Sequence, residues 1–113
     1  MSCVFCRIVT RDIPARFVYE DEHVCAFHDV NPVAPVHILV IPKAHVARVD
    51  RPEVCELGLG DHIFRAIGSI VRQEGLEEGG FRVVSNAGKD GGQTVDHLHF
   101  HLIAGRRMAW PPG

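Results

Sequence analysis

The sequence predicts an α+β domain over residues 1–113, with about five strands, one long helix and a short helical turn at the N-terminus. Three stretches carry that expectation. Asp96-His97-Leu98-His99-Phe100-His101-Leu102-Ile103 alternates with period two, setting three imidazoles on one face and Leu98, Phe100 and Leu102 on the other, as in a half-buried strand. Val36-His37-Ile38-Leu39-Val40-Ile41 is almost continuously apolar, which suits a central strand covered on both faces. From about Pro52 to Gln73, Val54, Leu57, Ile63, Phe64, Ile67, Ile70 and Val71 recur at helical spacing.

The other elements follow in chain order. Cys3 to Val9 suits a short helical turn, closed by Asp12-Ile13-Pro14 because the residue before a proline avoids the helical region. Arg16 to Glu20 alternates around Phe17 and Tyr19, Asp21-Glu22 turns, and His23 to His28 sets Val24, Ala26 and His28 opposite Cys25 and Phe27, which reads as a hairpin. Asp29 to Pro35 is a loop whose two prolines preclude ladder pairing, and Pro42 closes the central strand ahead of Lys43-Ala44-His45. Pro52 suits the first helical position, Asp50 with Glu53 resembles a capping box, and Gly75 is a suitable stop. Gly58, Gly60 and Gly68 weaken the helix by about 1 kcal/mol each relative to Ala, and are read as points of close packing. Gly80 to Ser85 gives a strand centred on Phe81-Arg82-Val83-Val84. Asn86 to Thr94 then makes a loop far longer than a tight hairpin needs.

The net charge of −2 and the lack of a basic stripe argue against a nucleic-acid partner, though one phosphate needs only a few donors. Met1-Ser2-Cys3-Val4-Phe5-Cys6-Arg7 lacks the pattern of a secretory leader and no apolar run has transmembrane length, so a cytoplasmic protein with no membrane partner is expected. Cys25 and Cys55 sit in apolar patterns and read as small hydrophobes. Cys3 and Cys6 are spaced as a pair, but two cysteines alone supply half of the four ligands zinc takes, and chance spacing explains them as well.

One histidine on a strand is most often merely packed or solvated. Three at strict spacing, roughly 6.6 Å apart along one face, point to chemistry: imidazole loses its charge near neutral pH and can attack, carry protons or ligate metal. The neighbouring loop adds donors. Gly88, Gly91 and Gly92 allow backbone amides to approach an anion, and Asn86, Gln93 and Thr94 offer side-chain hydrogen bonds, so the loop is a candidate phosphate cradle.

His97-Leu98-His99-Phe100-His101-Leu102-Ile103 resembles the histidine-triad pattern, and the likeness extends to Phe27-His28-Asp29, Pro35-Val36-His37, Ile41-Pro42-Lys43-Ala44-His45, Asn86, Gly91-Gly92-Gln93-Thr94 and Trp110-Pro111-Pro112-Gly113. The chain thus resembles the histidine triad nucleotide-binding protein branch of the histidine triad (HIT) superfamily over nearly its whole length. Thr94 stands where that branch often has Ser, and Ala109 where a His is common.

That resemblance implies an antiparallel HIT-like fold and a homodimer that binds AMP or GMP derivatives and hydrolyses phosphoramidates through a covalent nucleotidyl-histidine. By the resemblance, His99 is the nucleophile, with His101 and His37 beside it handling phosphate and protons. Asn86 and Thr94 bond the phosphate or leaving group within the Gly92-Gln93-Thr94 cradle. Asp29 holds the ribose hydroxyls, the main chain around Val30 lines the base pocket, and Trp110 reaches the neighbouring subunit's site. No catalytic metal is required. Some bacterial-type members bind a structural zinc through positions matching Cys3, Cys6, His45 and His97.

Rival readings come from other classes. The histidine row could instead ligate the ion of a metal-dependent hydrolase, since residues i and i+2 of a strand reach one ion. The chain could also act on dinucleoside polyphosphates, or be a nucleotide-binding module with little turnover that works through a partner.

Overall fold

The structure is a computed structural model that describes residues 3–113; Met1 and Ser2, part of the stretch read for a leader, lie outside the described residues. Five strands form one antiparallel sheet in the order β1-β2-β3-β5-β4: β1 Phe17–Glu20, β2 Val24–His28, β3 Val36–Pro42, β4 Phe81–Val84 and β5 Phe100–Ala104. The apolar β3 is the middle strand, as its composition predicts. The hairpin turn between β1 and β2 is held by Asp21, whose Oδ1 accepts from the amides of His23 and Val24, both at 2.8 Å.

Strand alternation sorts side chains between two cores. Val24, Ala26, Ile38, Val40, Leu98, Phe100 and Leu102 face helix α3 (Leu59–Gln73), which buries Ile63, Ala66, Ile67 and Ile70 against them. Their sequence neighbours Cys25, Phe27, Leu39 and Ile41 face the other way, onto Phe5 and Ile8 of helix α1 (Val4–Val9). Cys25 is fully buried there, and burial pushes its thiol up to about 11, so it packs as the small hydrophobe expected.

The helical region departs from expectation. What periodicity joins into one helix is two: α2 (Glu53–Glu56) and α3, separated by Gly58 in the left-handed conformation at φ +64°. A side chain is disfavoured there, so the backbone turns where glycine permits it. No atom outside its chain neighbours comes within 4 Å of a Cβ placed at Gly58 or Gly60, and at Gly68 the nearest is the flexible Arg72, so close packing does not explain these glycines. The capping box is also absent. Asp50 is held by Arg48 at 2.6 and 3.1 Å, and Pro52 caps α2 with no side-chain hydrogen bond. On these helices Cys55, Leu57 and Phe64 are exposed rather than buried. The predicted stop holds: at Gly75 the amide of Leu76 returns to the Val71 carbonyl at 2.9 Å.

Helix α1 ends at Val9 as expected, but the stop is made upstream of the proline, where Arg11 takes a left-handed conformation and the Asp12 amide closes on the Arg7 carbonyl at 2.9 Å. One further boundary differs. Regular pairing of β5 starts at Phe100 opposite Val40, not at His97, although β3 itself runs on to Pro42. Upstream, the Leu98 amide donates to the Val46 carbonyl at 2.6 Å and Ser85 Oγ to the His99 carbonyl at 2.9 Å.

Candidate active site

The face of the sheet that bears the histidines opens into a cleft of about 550 Å³ lined by Asp29, Val30, His37, Thr94, His99 and His101, over an apolar floor that includes Phe5, Phe27 and Leu39. Six positions singled out by the sequence are therefore brought together. Phe5 was not among them. Its ring meets His99 edge-on at 5.1 Å and His97 at 5.9 Å, as the first wall of the site. The signal for it lay between the paired cysteines: once Cys3 and Cys6 reach His97, Phe5 between them must follow.

The hydrogen bonds fix the protonation of each neutral ring, since a nitrogen that donates to a carbonyl must carry the proton. His99 Nδ1 lies 2.7 Å from the His97 carbonyl and donates to it, leaving Nε2 with a free lone pair. His37 Nδ1 accepts from the Val33 amide at 3.1 Å, so its proton is on Nε2. That Nε2 lies 2.8 Å from His101 Nδ1, which accepts, so the His101 proton is on its own Nε2. Three rings thus present one nucleophilic nitrogen and one N–H donor.

Asp29 supports this pair. Its Oδ1 accepts from the Asn31 amide at 2.8 Å and its Oδ2 lies 3.4 Å from His37 Nε2. Burial pulls the pKa of His37 down, partly opposed by the Asp29 carboxylate. Burial likewise pulls His101 down, aided by His99 and His37.

A second cleft of about 460 Å³ shares Val33, His37 and His101 with the first and is otherwise lined by Arg82, Val84, Asn86, Ile103, Arg106, Met108, Ala109, Pro111 and Pro112. Asn86 therefore sits across the histidine pair from Thr94. Gly92 and Gln93 line neither cleft. Gln93 ties the loop together: its Nε2 donates to the carbonyls of Ala47 at 2.7 Å and Val95 at 3.0 Å, and its Oε1 accepts from the Gly88 amide at 3.1 Å. A Cβ at Gly91 would run into the main chain of Ala87, so this loop closes only with glycine there. Trp110 is 81% exposed and lies outside both clefts.

Cys3, Cys6, His45 and His97 converge although up to 94 residues separate them. Cys3 Sγ lies 3.4 Å and Cys6 Sγ 3.6 Å from His97 Nδ1, Cys6 Sγ lies 3.3 Å from His45 Nδ1, and the two Nδ1 atoms are 3.2 Å apart. A tetrahedral zinc with ordinary Zn–S and Zn–N lengths sets its ligand atoms about 3.3–3.8 Å apart, so these residues fit the ion. His97 Nε2 donates to the Pro42 carbonyl at 2.9 Å, which turns the lone pair of Nδ1 toward the cluster. Asp29, His37 and His101 also lie close enough together for an ion. Their 2.8 Å nitrogen separation is shorter than the about 3.3 Å edge of a tetrahedral site and is occupied by a proton, which suits a hydrogen bond better.

Known proteins show the same architecture. A HIT family hydrolase from Legionella pneumophila Philadelphia 1 superposes with a TM-score of 0.92 at 43% identity, over 99% of this chain and 100% of that one. A histidine triad nucleotide-binding protein from Candida albicans superposes with a TM-score of 0.81 at 33% identity, over 97% of this chain and 83% of that one. A 14 kDa zinc-binding protein from Zea mays is 44% identical over 115 residues, covering 97% of this chain and 87% of that protein. The model of the HIT domain matches residues 10–108, and with the triad geometry above it, the chain belongs to the HIT family.

Proposed function

We propose that the protein is a nucleotidyl hydrolase of the histidine triad nucleotide-binding branch, cleaving the P–N bond of purine nucleoside phosphoramidates through a covalent nucleotidyl-His99. The observation that carries this reading is the 2.7 Å bond from His99 Nδ1 to the His97 carbonyl, which leaves Nε2 unprotonated beside the cleft. The nucleoside lies over the apolar floor around Phe5 and Phe27, with its ribose hydroxyls toward Asp29 and its base near Val30, while Thr94 meets the phosphate.

His99 Nε2 forms a bond to phosphorus as the P–N bond breaks with its electron pair on nitrogen. The departing nitrogen takes a proton from the His37–His101 pair in its protonated form, whose depressed pKa makes it a strong donor. Water then attacks phosphorus, giving up a proton to the same pair, and the P–Nε2 bond breaks with its electron pair returning to His99 Nε2, releasing the nucleoside monophosphate. The Candida relative's nucleotide-binding designation supports the choice of substrate class.

The reading extends to the assembly. Cys3, Cys6, His45 and His97 would hold a zinc ion whose closed ligand set leaves no place for a catalytic water, so the ion would fasten α1 to the sheet. Exposed Phe64, Phe81 and Trp110 support a homodimer that covers them, and the free thiols suit the reducing cytoplasm. The test is to offer adenosine 5′-phosphoramidate, quench with acid-free denaturant and analyse the protein by mass. An adenylyl adduct on His99 with release of ammonia is expected, and absence of turnover ends the proposal.

A further inference from the structure

Helix α1 joins two tasks in one short segment. Cys3, at its start, and Cys6 enter the cluster with His45 and His97, while Val4, Phe5 and Ile8 line the first cleft. Phe5 lies between the two cysteines in sequence and meets Phe27 at 5.7 Å and His99 at 5.1 Å. A change in how the cysteines are held therefore reaches the wall of the cleft through one turn of chain.

The two cysteines are also placed to be joined. The Cys3 carbonyl accepts from the Arg7 amide at 3.0 Å, so the segment is an α-helical turn, and in such a turn the Cα atoms of residues three apart stand about 5 Å from one another. A disulfide spans about 4.4–6.8 Å between Cα atoms, so Cys3 and Cys6 can bond by turning their side chains, with little movement of the backbone. Cys3 Sγ already accepts from the Cys6 amide at 3.4 Å, and the ligand atoms of the cluster all lie within 4.8 Å of one another. Both cysteines are half-buried and His45, beside Cys6 Sγ, is exposed, so a small oxidant reaches the sulfurs from that side. Cys25 is sealed in the core, and Cys55, exposed on α2, lies outside the cluster.

We propose that Cys3 and Cys6 are a reversible modification site for hydroperoxides, and that their oxidation loosens α1 from the first cleft. The inference rests on the zinc and nucleotide readings above. Zinc bound at the cluster keeps both sulfurs as thiolates, the form that attacks a peroxide. Cys6, on the open side, gives an electron pair to the terminal peroxide oxygen; the O–O bond breaks, and the other oxygen leaves as an alcohol or water with a proton from solvent. Cys3 then attacks the sulfenic acid on Cys6 and expels its oxygen as water with a second proton. The two sulfurs lose two electrons in all, and the peroxide gains them. A disulfide offers no thiolate, so two of the four ligands are lost and α1 is no longer tied to the sheet there. His97 Nε2 keeps its bond to the Pro42 carbonyl and the His97 carbonyl still holds His99, so the loss falls on nucleotide binding and not on the proposed nucleophile.

The experiment treats the zinc-loaded protein with a small excess of hydrogen peroxide and follows zinc release, AMP affinity by calorimetry and the tryptic peptide of residues 1–7, which holds Cys3 and Cys6 and neither other cysteine. That peptide should become lighter by two hydrogens, with zinc released in step, at least about tenfold faster than Cys55 is oxidised. AMP affinity should fall about fivefold as the Phe5 contact loosens, and KM for adenosine 5′-phosphoramidate should rise by a similar factor with kcat nearly unchanged. Dithiothreitol with added zinc should reverse every change. Cys55→Ser, outside the cluster and both clefts, should respond to peroxide as the parent does. Oxidation of Cys55 ahead of the pair, sulfinic acid at Cys6 without a disulfide, or a disulfide that leaves AMP affinity unchanged overturns the inference. Protein purified without chelator that holds no zinc is instead failure of the zinc reading, and reduced protein that binds no AMP is failure of the nucleotide reading, each of which removes the inference with it.

Discussion

His99 donates its Nδ1 proton to the main chain of His97 at 2.7 Å, while the ring of His97 turns the other way, onto Cys3, Cys6 and His45. The ring proposed as nucleophile is thus oriented by a backbone oxygen, not by the neighbouring imidazole. His97 meets the cysteine cluster through its ring and holds His99 through its carbonyl, so the two tasks fall on different atoms.

That separation predicts unequal effects of losing the cluster. Protein purified without chelator should contain about one zinc per chain, and Cys6→Ala should lower its melting temperature by at least about 5 °C, corresponding to about 1 kcal/mol in a domain of this size. Turnover at 20 °C should fall less than tenfold. Elemental analysis without zinc, or an unchanged melting temperature, would refute this.

His99→Asn keeps a hydrogen-bonding group of similar shape but has no nucleophilic ring nitrogen. AMP should bind within about tenfold of the parent while kcat falls at least about a thousandfold, because the covalent route and its electrostatic support vanish together. Calorimetric titration and steady-state kinetics decide it. An adduct on another residue would reassign the nucleophile.

The buried pair makes stability depend on pH. His37 and His101 both titrate below the ordinary histidine value, so the unfolded chain binds more protons than the folded one as pH falls past about 6.5. Their contribution is therefore full above that pH and is lost on acidification through the folded-state values. Urea midpoints between pH 7.5 and 5 should fall more for the parent than for His37→Gln. Identical slopes would count against the pair.

Phe5 anchors α1 against Phe27 at 5.7 Å and against His99 at 5.1 Å, and it is 7% exposed. Phe5→Ala should cost about 3 kcal/mol, the low end for a buried phenylalanine because α1 is short and can settle, and should raise KM for the nucleotide by removing the cleft floor. Denaturant unfolding and kinetics measure the two effects separately.

Gly58→Ala should cost about 1 kcal/mol through its left-handed backbone alone, since open space surrounds the added methyl. A melting temperature equal to the parent's would show that α2 and α3 can join without penalty.

Legibility followed the range of the physics. Alternation at Val24 to His28 and at Leu98 to Leu102 shows which side chains share a face, because the pleat enforces it locally. Leu57 and Phe64 mislead for the same reason that they look helical: periodicity reports spacing, while their exposure depends on where Gly58 redirects the chain. The start of β5 is set where the Leu98 amide turns to the Val46 carbonyl, and Asp50 is captured by Arg48, both tertiary facts absent from local pattern. Among the site residues, the roles of Gln93 and Asn86 depend on loop closure, so spacing alone put both in one cradle, whereas Gln93 ties the loop and Asn86 lines the opposite cleft.

The two-sided sheet makes the reading frame of the triad segment unforgiving. Leu98, Phe100 and Leu102 sit under α3 while His97 meets the cysteine cluster and His99 and His101 face the cleft. Deleting a single residue just before His97 and adding one after Ile103 would leave composition and length unchanged, yet carry every imidazole beneath α3 and every large apolar side chain into the cleft. Such a one-step slip should abolish folding and chemistry together, whereas a two-residue shift would restore the facing and merely misplace which histidine stands at the centre.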